Sequence, residues 1–387
     1  MDAFALTRAR PLAMGSVLAL RNLVHDRVRL VITLVGIIFA VVLINVEVGL
    51  FLGFAKTTSG LIDHSGADLW IMPLGTRDVD QVEPMSDRRL YQALAVPGVE
   101  RASGLNVEFV SFKRPDGGTE SVLIVGFDLA TGFGGPWNVT EGDVRSLRFP
   151  DTIMIDEFYR EKLGVTYLGQ VVEISGHRAR VVGFTQGIRS FTQSPYVFTS
   201  TRTALDYARI QENQTKYVLV SILPGADPQV VKTELAQRVP AVEVRTAAQF
   251  SRETQLYWLF TTGAGSALLL AAVMGLAVGV VVVSQTLYAT TVDHLAEFGT
   301  LRAIGASNRY IYGVIIRQAV LSSLCGYVLG LLITVLIVRF VRDLGPVILL
   351  PAWTMAGMLV LTIVMCIGAA LISIRKVTRL DPSAVFK

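Results

Sequence analysis

Four long stretches with almost no charged residues constrain the fold of this chain more than any other feature. Residues 254–292, 318–338 and 344–374 contain no Asp, Glu, Lys or Arg, and residues 30–52 contain a single carboxylate. About 20 consecutive apolar residues are needed to cross the hydrocarbon core of a bilayer, and an ionised side chain at its centre costs several kcal/mol. The sequence therefore predicts four transmembrane helices, at residues 30–52, 259–287, 313–338 and 354–374.

The composition agrees with a membrane protein and argues against metal or redox chemistry. Of the 387 residues, 52% are hydrophobic and only 17% are charged, which is unusual for a soluble chain. The two cysteines both lie in apolar runs, and the four histidines show no short metal-ligand spacing. We expect no metal and no cofactor to be bound by this chain.

Basic residues are distributed unevenly along the chain and predict its orientation. Segments 1–29, 288–312 and 375–387 together hold eleven Lys and Arg against five Asp and Glu, whereas segment 53–258 holds 21 basic and 24 acidic residues. Lys and Arg beside membrane spans are retained in the cytoplasm. We therefore predict cytoplasmic termini, an amphipathic N-terminal helix within residues 1–29 lying on the bilayer surface, and segments 53–258 and 339–353 on the opposite side.

Segment 53–258 has the composition and turn signals of a folded domain. Residues 108–113 and 121–128 flank Arg-Pro-Asp-Gly-Gly, which predicts a β-hairpin, and a second hairpin is predicted around Gly176-His177. Further strand and helix patterns alternate along the segment. Strands are expected at 68–72, 152–155, 196–199 and 216–223. Helices are expected at 156–163, at 200–209 with a Ser/Thr cap at Ser200, and at 227–238, where Asp227-Pro228 marks the start. The sequence predicts an α+β domain with a small mixed sheet and helices on one side.

Known catalytic motifs are missing from segment 53–258. This segment contains no nucleophile elbow, no His-Glu-x-x-His and no Ser-x-x-Lys, and the whole sequence contains no phosphate-binding Gly-x-x-x-x-Gly-Lys-Ser/Thr loop. We interpret the chain as a non-enzymatic subunit that binds neither nucleotide nor nucleic acid, so any ATP and Mg²⁺ belong to a partner protein.

The segment between the second and third spans carries a short amphipathic pattern. Apolar residues recur every three positions from Leu295 to Ile304, which predicts a helix that Gly305 ends. Ser307 then suits the N-cap of the next helix. A helix at this place fits either a groove on another protein or the lipid surface, and the pattern leaves both open.

Beyond these patterns, the whole chain resembles the MacB-like and FtsX-like permeases of ABC transporters. The resemblance is carried by ALRNLVHDRVRLVITLVGI at residues 19–37, EFGTLRAIGAS at 297–307 and RLDPSAVF at 379–386. Two further segments look most like the DevC branch, the permease subunits of three-part exporters. They are ADLWIMPLGTRDVDQ at residues 67–81 and GFDLATGFGGPW at 126–137.

The resemblance implies a membrane protein of the type VII ABC transporter architecture, with four transmembrane helices and a large α+β extracytoplasmic domain inserted between the first two. It implies a homodimer in the bacterial inner membrane that transmits the motion of two copies of a separate ATPase and so exports a lipid-like or small-molecule substrate. A membrane-fusion adaptor and an outer-membrane channel would complete the route. By this resemblance the ATPase docks on Glu297, Phe298, Gly299, Leu301, Arg302, Ile304, Gly305, Ala306 and Ser307.

Two questions stay open at the level of the sequence. The same ATP-driven motion could instead regulate an external cell-wall hydrolase, as in FtsX-like proteins. The chain could also be a lipoprotein-releasing or haem-exporting permease. The pairs Gly275/Gly279 and Gly326/Gly330 permit close helix approach, either within one chain or at a dimer seam.

Overall fold

The chain divides into two compact units. The computed structural model describes residues 27–80, 82–192, 194–293, 307–342 and 344–378. One unit combines Met1–Gly53 with Ser266–Lys387, and the other is Phe54–Gly265. We call the first the helix bundle and the second the α+β domain.

Long helices dominate the two ends of the described chain, and short helices alternate with strands between them. The α-helices are α1 (Arg27–Thr58), α2 (Gly60–Asp63), α3 (Arg88–Leu94), α4 (Arg160–Leu163), α5 (Thr201–Ala208), α6 (Pro228–Arg238), α7 (Ala247–Leu256), α8 (Ala264–Asp293), α9 (Asn308–Val341) and α10 (Ala352–Thr378). The strands are β1 (Leu69–Pro73), β2 (Met85–Ser86), β3 (Val99–Lys113), β4 (Thr119–Phe127), β5 (Val139–Gly142), β6 (Thr152–Asp156), β7 (Val171–Ile174), β8 (His177–Thr185), β9 (Tyr196–Ser200), β10 (Gln214–Thr215), β11 (Tyr217–Ile222) and β12 (Val242–Thr246).

Four of the helices are long and apolar enough to cross a membrane. Their apolar spans are Leu30–Thr58, Ala264–Thr286, Tyr312–Val341 and Ala352–Ile372. The helix of the second span begins at Ala264, later than the expected residue 259, because a π-helical turn at Tyr257–Thr261 interrupts the chain first. Gly263 follows this turn with a φ of +82°, a conformation that a helix cannot contain.

Helix α1 is the most buried of the four spans. Within the chain, 39% of the most apolar stretch of α1 is buried, against 17% of the corresponding stretch of α8. The buried side chains of the bundle core come from all four long helices. They include Ile37, Ala40, Val41 and Ile44 of α1, Val283 of α8, Ile315 and Ala319 of α9, and Met365 and Cys366 of α10. The bundle is therefore organised around α1.

A ten-stranded mixed sheet forms the body of the α+β domain. Its order is β12-β1-β11-β3-β4-β9-β6-β8-β5, with β7 paired to β3 and β8. The pairs β4–β9 and β6–β8 are parallel, and the other pairs are antiparallel. A small separate sheet pairs β2 with β10. The predicted hairpins β3–β4 and β7–β8 are both confirmed.

The expectation of a small sheet with helices on one side is wrong. Successive side chains of a strand point to opposite faces of the sheet, and both faces of β1 are covered. Trp70 packs in one core with Phe250 of α7, whereas Ile71 packs in another with Val231 and Leu235 of α6. The uninterrupted apolar run of β1 requires cover on both faces, as is usual for central strands.

Helix caps lie where the sequence places them. The Ser200 hydroxyl accepts the Thr203 N–H at the start of α5. Asp227 accepts the Gln229 N–H at 2.8 Å at the start of α6, which has a proline in its first turn. Both helices are thus fixed by local side-chain chemistry.

Candidate functional site

The predicted ATPase-docking segment falls almost wholly outside the described residues. This holds for Glu297, Phe298, Gly299, Leu301, Arg302, Ile304, Gly305 and Ala306. The last member, Ser307, is described, and its hydroxyl accepts the Tyr310 N–H at 3.3 Å. The prediction that Ser307 is the N-cap of the following helix is therefore confirmed.

Four glycines with helix-packing spacing lie against α1. A Cβ atom built on any of them would come within 2.8 Å of an α1 side chain, so no larger residue fits without a shift. The contacts are Gly275 to Leu43, Gly279 to Ala40, Gly326 to Ile37 and Gly330 to Val41. These glycines thus bring α8 and α9 close to α1 within a single chain.

Helix α1 contains glycines of its own that sequence reasoning missed. A Cβ at Gly36 would lie 2.4 Å from Val282 of α8, and one at Gly49 would lie 2.5 Å from Ile348. At Gly53 it would lie 1.7 Å from the carbonyl oxygen of Val347. The signal was present in the sequence, because the last two form another Gly-x-x-x-Gly pair.

Residues 344–351 connect α9 to α10 and pack on this pair of glycines. Ile348 and the backbone of Val347 occupy the positions where Gly49 and Gly53 lack side chains. Small residues in membrane helices allow this close approach of two backbones. The connector is therefore attached to α1 as well as to the two helices that it joins.

The chain passes twice between the bundle and the α+β domain, at the end of α1 and at the residues after α7. We call these the two passages. Within the α+β domain the last turn of α7 is hydrogen-bonded to the residue after α1, because Gln255 Nε2 donates to Ser59 Oγ at 2.8 Å. Ser59 Oγ in turn donates to Asp63 at 2.8 Å. Ser59 is fully buried, whereas Gln255 is half-buried and Asp63 is exposed, so these hydrogen bonds are partly shielded from solvent.

A buried carboxyl group without a hydrogen-bond partner lies in the loop after β1. Asp80 is 2% exposed, and neither of its carboxyl oxygens has a partner among the described residues. Burial, and then the nearby charge of Asp78, raise its pKa to about 7. The Tyr217 hydroxyl beside them donates to the carbonyl oxygens of Asp78 and Val79. Sequence reasoning missed this group, since nothing local distinguishes Asp80 from a surface acid.

A second buried acid, Asp156, is fully satisfied. Its carboxylate accepts the Ile188 N–H at 2.8 Å, the Phe158 N–H at 3.1 Å and the Thr185 hydroxyl at 3.1 Å. Burial raises the pKa of Asp156, and these three donors partly oppose the rise. Asp156 therefore joins its own turn to the segment from Thr185 to Ile188.

These arrangements are suited to holding helices and segments together. Among the described residues, no group of three or more His, Cys, Asp or Glu side chains is placed to hold a metal ion. The buried acids Asp80 and Asp156 lie in different surroundings, each with its own neighbours.

Comparison with known proteins finds a matching family model for each of two parts of the chain. Residues 30–238 match the family model described as a MacB-like periplasmic core domain. Residues 251–382 match that of the FtsX-like permease C-terminal region.

Relatives align over nearly the full length. An uncharacterized ABC transporter permease of Mycobacterium tuberculosis is 26% identical over 374 residues, which is 95% of this chain and 98% of the relative. Another from Mycobacterium bovis is 24% identical over 377 residues, with the same shares.

Two solved structures are also similar. The periplasmic region of MacB from Actinobacillus actinomycetemcomitans aligns with a TM-score of 0.39 and 11% identity, over 49% of this chain and 92% of that one. The extracellular domain of the noncanonic ABC-type transporter YknZ from Gram-positive bacteria aligns with a TM-score of 0.37 and 14% identity, over 46% of this chain and 98% of that one.

Proposed function

Since this chain belongs to the family of MacB-like and FtsX-like ABC transporter permeases, we propose that it couples a separate ATPase to movement of its α+β domain. The outcome of this movement is export of a lipid-like or small-molecule substrate. The chain itself is a multi-pass membrane protein with four apolar helices.

The continuity of α1 is the observation that carries the proposal. This helix runs for 32 residues without a break, from Arg27 to Thr58. At about 1.5 Å per residue it is about 48 Å long, whereas the hydrocarbon core is about 30 Å thick. The helix continues past Gly53, where the first part of the helix bundle ends, to Thr58 of the α+β domain, so the chain leaves the bundle as continuous helix.

The partners in this proposal follow from the resemblance and the charge distribution. Two copies of the chain form a dimer in the inner membrane, and each docks one ATPase through the segment from Glu297 to Ser307. Both termini are cytoplasmic, and the α+β domain is periplasmic. A membrane-fusion adaptor and an outer-membrane channel receive the substrate. ATP and Mg²⁺ are bound by the ATPase.

Affinity purification of the tagged chain from membranes tests the proposal. We expect an ABC ATPase and a membrane-fusion protein to co-elute with the chain, with measurable ATP hydrolysis. Glu297→Ala should lose the ATPase while the protein remains inserted, and Gly305→Pro should do the same. The matched control is Glu212→Ala, which removes an exposed acid of the α+β domain.

Each result of this purification has a distinct meaning. Recovery of the ATPase with a murein hydrolase would favour regulation of an external cell-wall hydrolase over export. If no ATPase co-elutes with the wild-type chain, the proposed function is wrong. If Glu297→Ala retains the ATPase, the docking segment is misplaced.

A further inference from the structure

Residues 186–192, between β8 and β9, form a segment with neither helix nor strand that we call the strap. Alternate residues of the strap are fastened to the body of the α+β domain. The Gln186 N–H donates to the Asn138 carbonyl at 3.0 Å, and the Ile188 N–H donates to Asp156 at 2.8 Å. Ile188 is fully buried in the main core of the domain. The inward side of the strap is thus firmly held.

A short turn after β6 holds the next part of the strap. Asp156 caps this turn, which contains Phe158 and Tyr159. The Ser190 N–H approaches the Tyr159 hydroxyl at 3.4 Å, and the Arg189 guanidinium lies 3.9 Å from the centre of the Phe158 ring. Such a cation–π contact is an electrostatic attraction between the guanidinium and the face of the ring. The Asp156 turn therefore positions the strap from Ile188 to Ser190.

Phe191 faces away from these anchors and contacts both passages. Its ring centre lies 5.6 Å from that of Phe54, in an edge-to-face arrangement, and 4.2 Å from that of Trp258. Phe54 belongs to the last turns of α1, and Trp258 belongs to the π-helical turn before α8. Contacts between aromatic rings in such arrangements add to the stabilisation that burial alone gives.

The backbone around Phe191 is fixed by its neighbours. Ser190 Oγ lies 2.7 Å from Thr192 Oγ1 and accepts the Thr192 N–H at 3.2 Å. Further on, the Pro195 carbonyl accepts the Leu123 N–H at 2.8 Å, where the chain enters β9. Phe191 is therefore presented on a hydrogen-bonded turn.

The passage that Phe191 touches through Trp258 has the features of a hinge. π-Helical turns are rare and frequently occur at functional sites. Gly263, two residues after this turn, has a left-handed φ of +82° and open space around it. A rotation at Gly263 would move α8 relative to the π-helical turn at little steric cost.

We propose that the strap is the element that ties both passages to the sheet, with Phe191 as a positioning residue between Phe54 and Trp258. It rests on the proposed function in one respect, since the force that it relays would come from the ATPase. Displacement of either passage moves Phe191, and the strap carries this movement to Asp156 and to the ends of β8 and β9.

Hydrogen exchange with mass spectrometry on the full chain in lipid nanodiscs tests the proposal without the ATPase. Phe191→Ala should speed exchange about tenfold at the Ile188 and Ser190 amides and equally at residues 257–261. Phe191→Tyr keeps the ring and should restore the wild-type rates. The matched control is Phe149→Ala, whose ring is 54% exposed and contacts Arg148 instead.

A second variant tests the contact between the strap and α1. Phe54→Ala should speed exchange at Ile188 and Ser190 by a similar factor, while the amides of β3 keep their rates and report an intact sheet. The proposal is overturned if Phe191→Ala leaves residues 257–261 unchanged, if Phe54→Ala leaves the strap unchanged, or if Phe191→Tyr behaves as Phe191→Ala does.

Repeating the measurement on the complex with its ATPase separates this proposal from the proposed function. ATP with vanadate should alter exchange at residues 156–160 of the wild type, and Phe191→Ala should abolish that response while the ATPase still co-elutes. Absence of the ATPase from the wild-type complex would count against the proposed function alone, because the nucleotide-free result for the strap does not depend on it.

Discussion

The backbone N–H of Leu349 donates to the carbonyl oxygen of Gly49, with 3.0 Å between nitrogen and oxygen. Leu349 belongs to the connector between α9 and α10, and Gly49 lies within α1. A carbonyl oxygen has two lone pairs, so one within a helix can accept this second bond. The missing side chain of Gly49 lets the two backbones approach. The connector and α1 are therefore joined by main-chain atoms.

Gly53→Ala should detach the connector from α1. The new Cβ would lie 1.7 Å from the Val347 carbonyl oxygen and 2.6 Å from its carbonyl carbon, so the backbone must shift. We expect a net loss of about 1–3 kcal/mol in stability, although alanine is the better helix former. The thermal midpoint of the protein in nanodiscs measures the effect.

Gly357→Ala provides the control for this substitution. Gly357 lies in α10, and a Cβ there would have no atom within 4 Å. Its midpoint should equal or exceed that of the wild type. A midpoint for Gly53→Ala as high as that of Gly357→Ala would contradict the role assigned to the connector.

Removing the cap at Ser307 should loosen the start of α9. Ser307→Ala removes the acceptor of the Tyr310 N–H, and N-cap losses of this kind cost about 1 kcal/mol. Exchange of the amides at residues 308–312 should become about fivefold faster. Ser307→Asp retains an acceptor and should keep the wild-type rates. Equal acceleration in both variants would show that the hydroxyl does not hold this helix end.

Features that depend on neighbouring residues could be predicted from the sequence. The uncharged runs predicted the four spans, because a bilayer excludes charge from any helix that crosses it. The Arg-Pro-Asp-Gly-Gly turn predicted the β3–β4 hairpin, and the caps Ser200, Asp227 and Ser307 predicted three helix starts. Each signal is contained in one continuous stretch of the chain.

Features that depend on distant residues could not be predicted. The parallel pairing of β4 with β9 joins strands about seventy residues apart, and it is this pairing that enlarges the sheet. Phe191 and Asp80 have no distinguishing local pattern, because the surroundings of each arise only when the fold brings Trp258 to Phe191 and buries Asp80 inside the domain. No periodicity in a single sequence encodes such contacts.

Asp80 should make the α+β domain less stable as the pH rises. Its pKa is about 7 in the folded protein against an ordinary value of 3.8, so the folded state holds the proton where the unfolded state has released it. The free energy of unfolding should therefore fall by about 1.4 kcal/mol per pH unit between about pH 4 and pH 7, and then level off.

Urea unfolding of the full chain at about pH 5 and about pH 8 measures this dependence. Asp80→Asn cannot ionise and should lack the fall seen in the wild type, so it should be the more stable protein at the higher pH. Glu212→Gln, at an exposed position, should follow the wild type. An Asp80→Asn protein with an unchanged pH dependence would show that another group titrates.

The ion pair between Lys216 and Glu108 should respond unequally to loss of its two members. Lys216 Nζ lies 2.5 Å from Glu108 Oε2, but the lysine side chain is only 4% exposed whereas the glutamate is 34% exposed. Glu108→Gln leaves an ammonium group buried without a counter-charge, which costs about 3–5 kcal/mol. Lys216→Met leaves a carboxylate that reaches water and should cost about 1 kcal/mol.

The exposed pair Lys113–Glu173, at 3.1 Å, is the control, and Glu173→Gln should cost under about 1 kcal/mol in the same urea titration. Equal losses for Glu108→Gln and Glu173→Gln would mean that burial of Lys216 adds nothing to the pair.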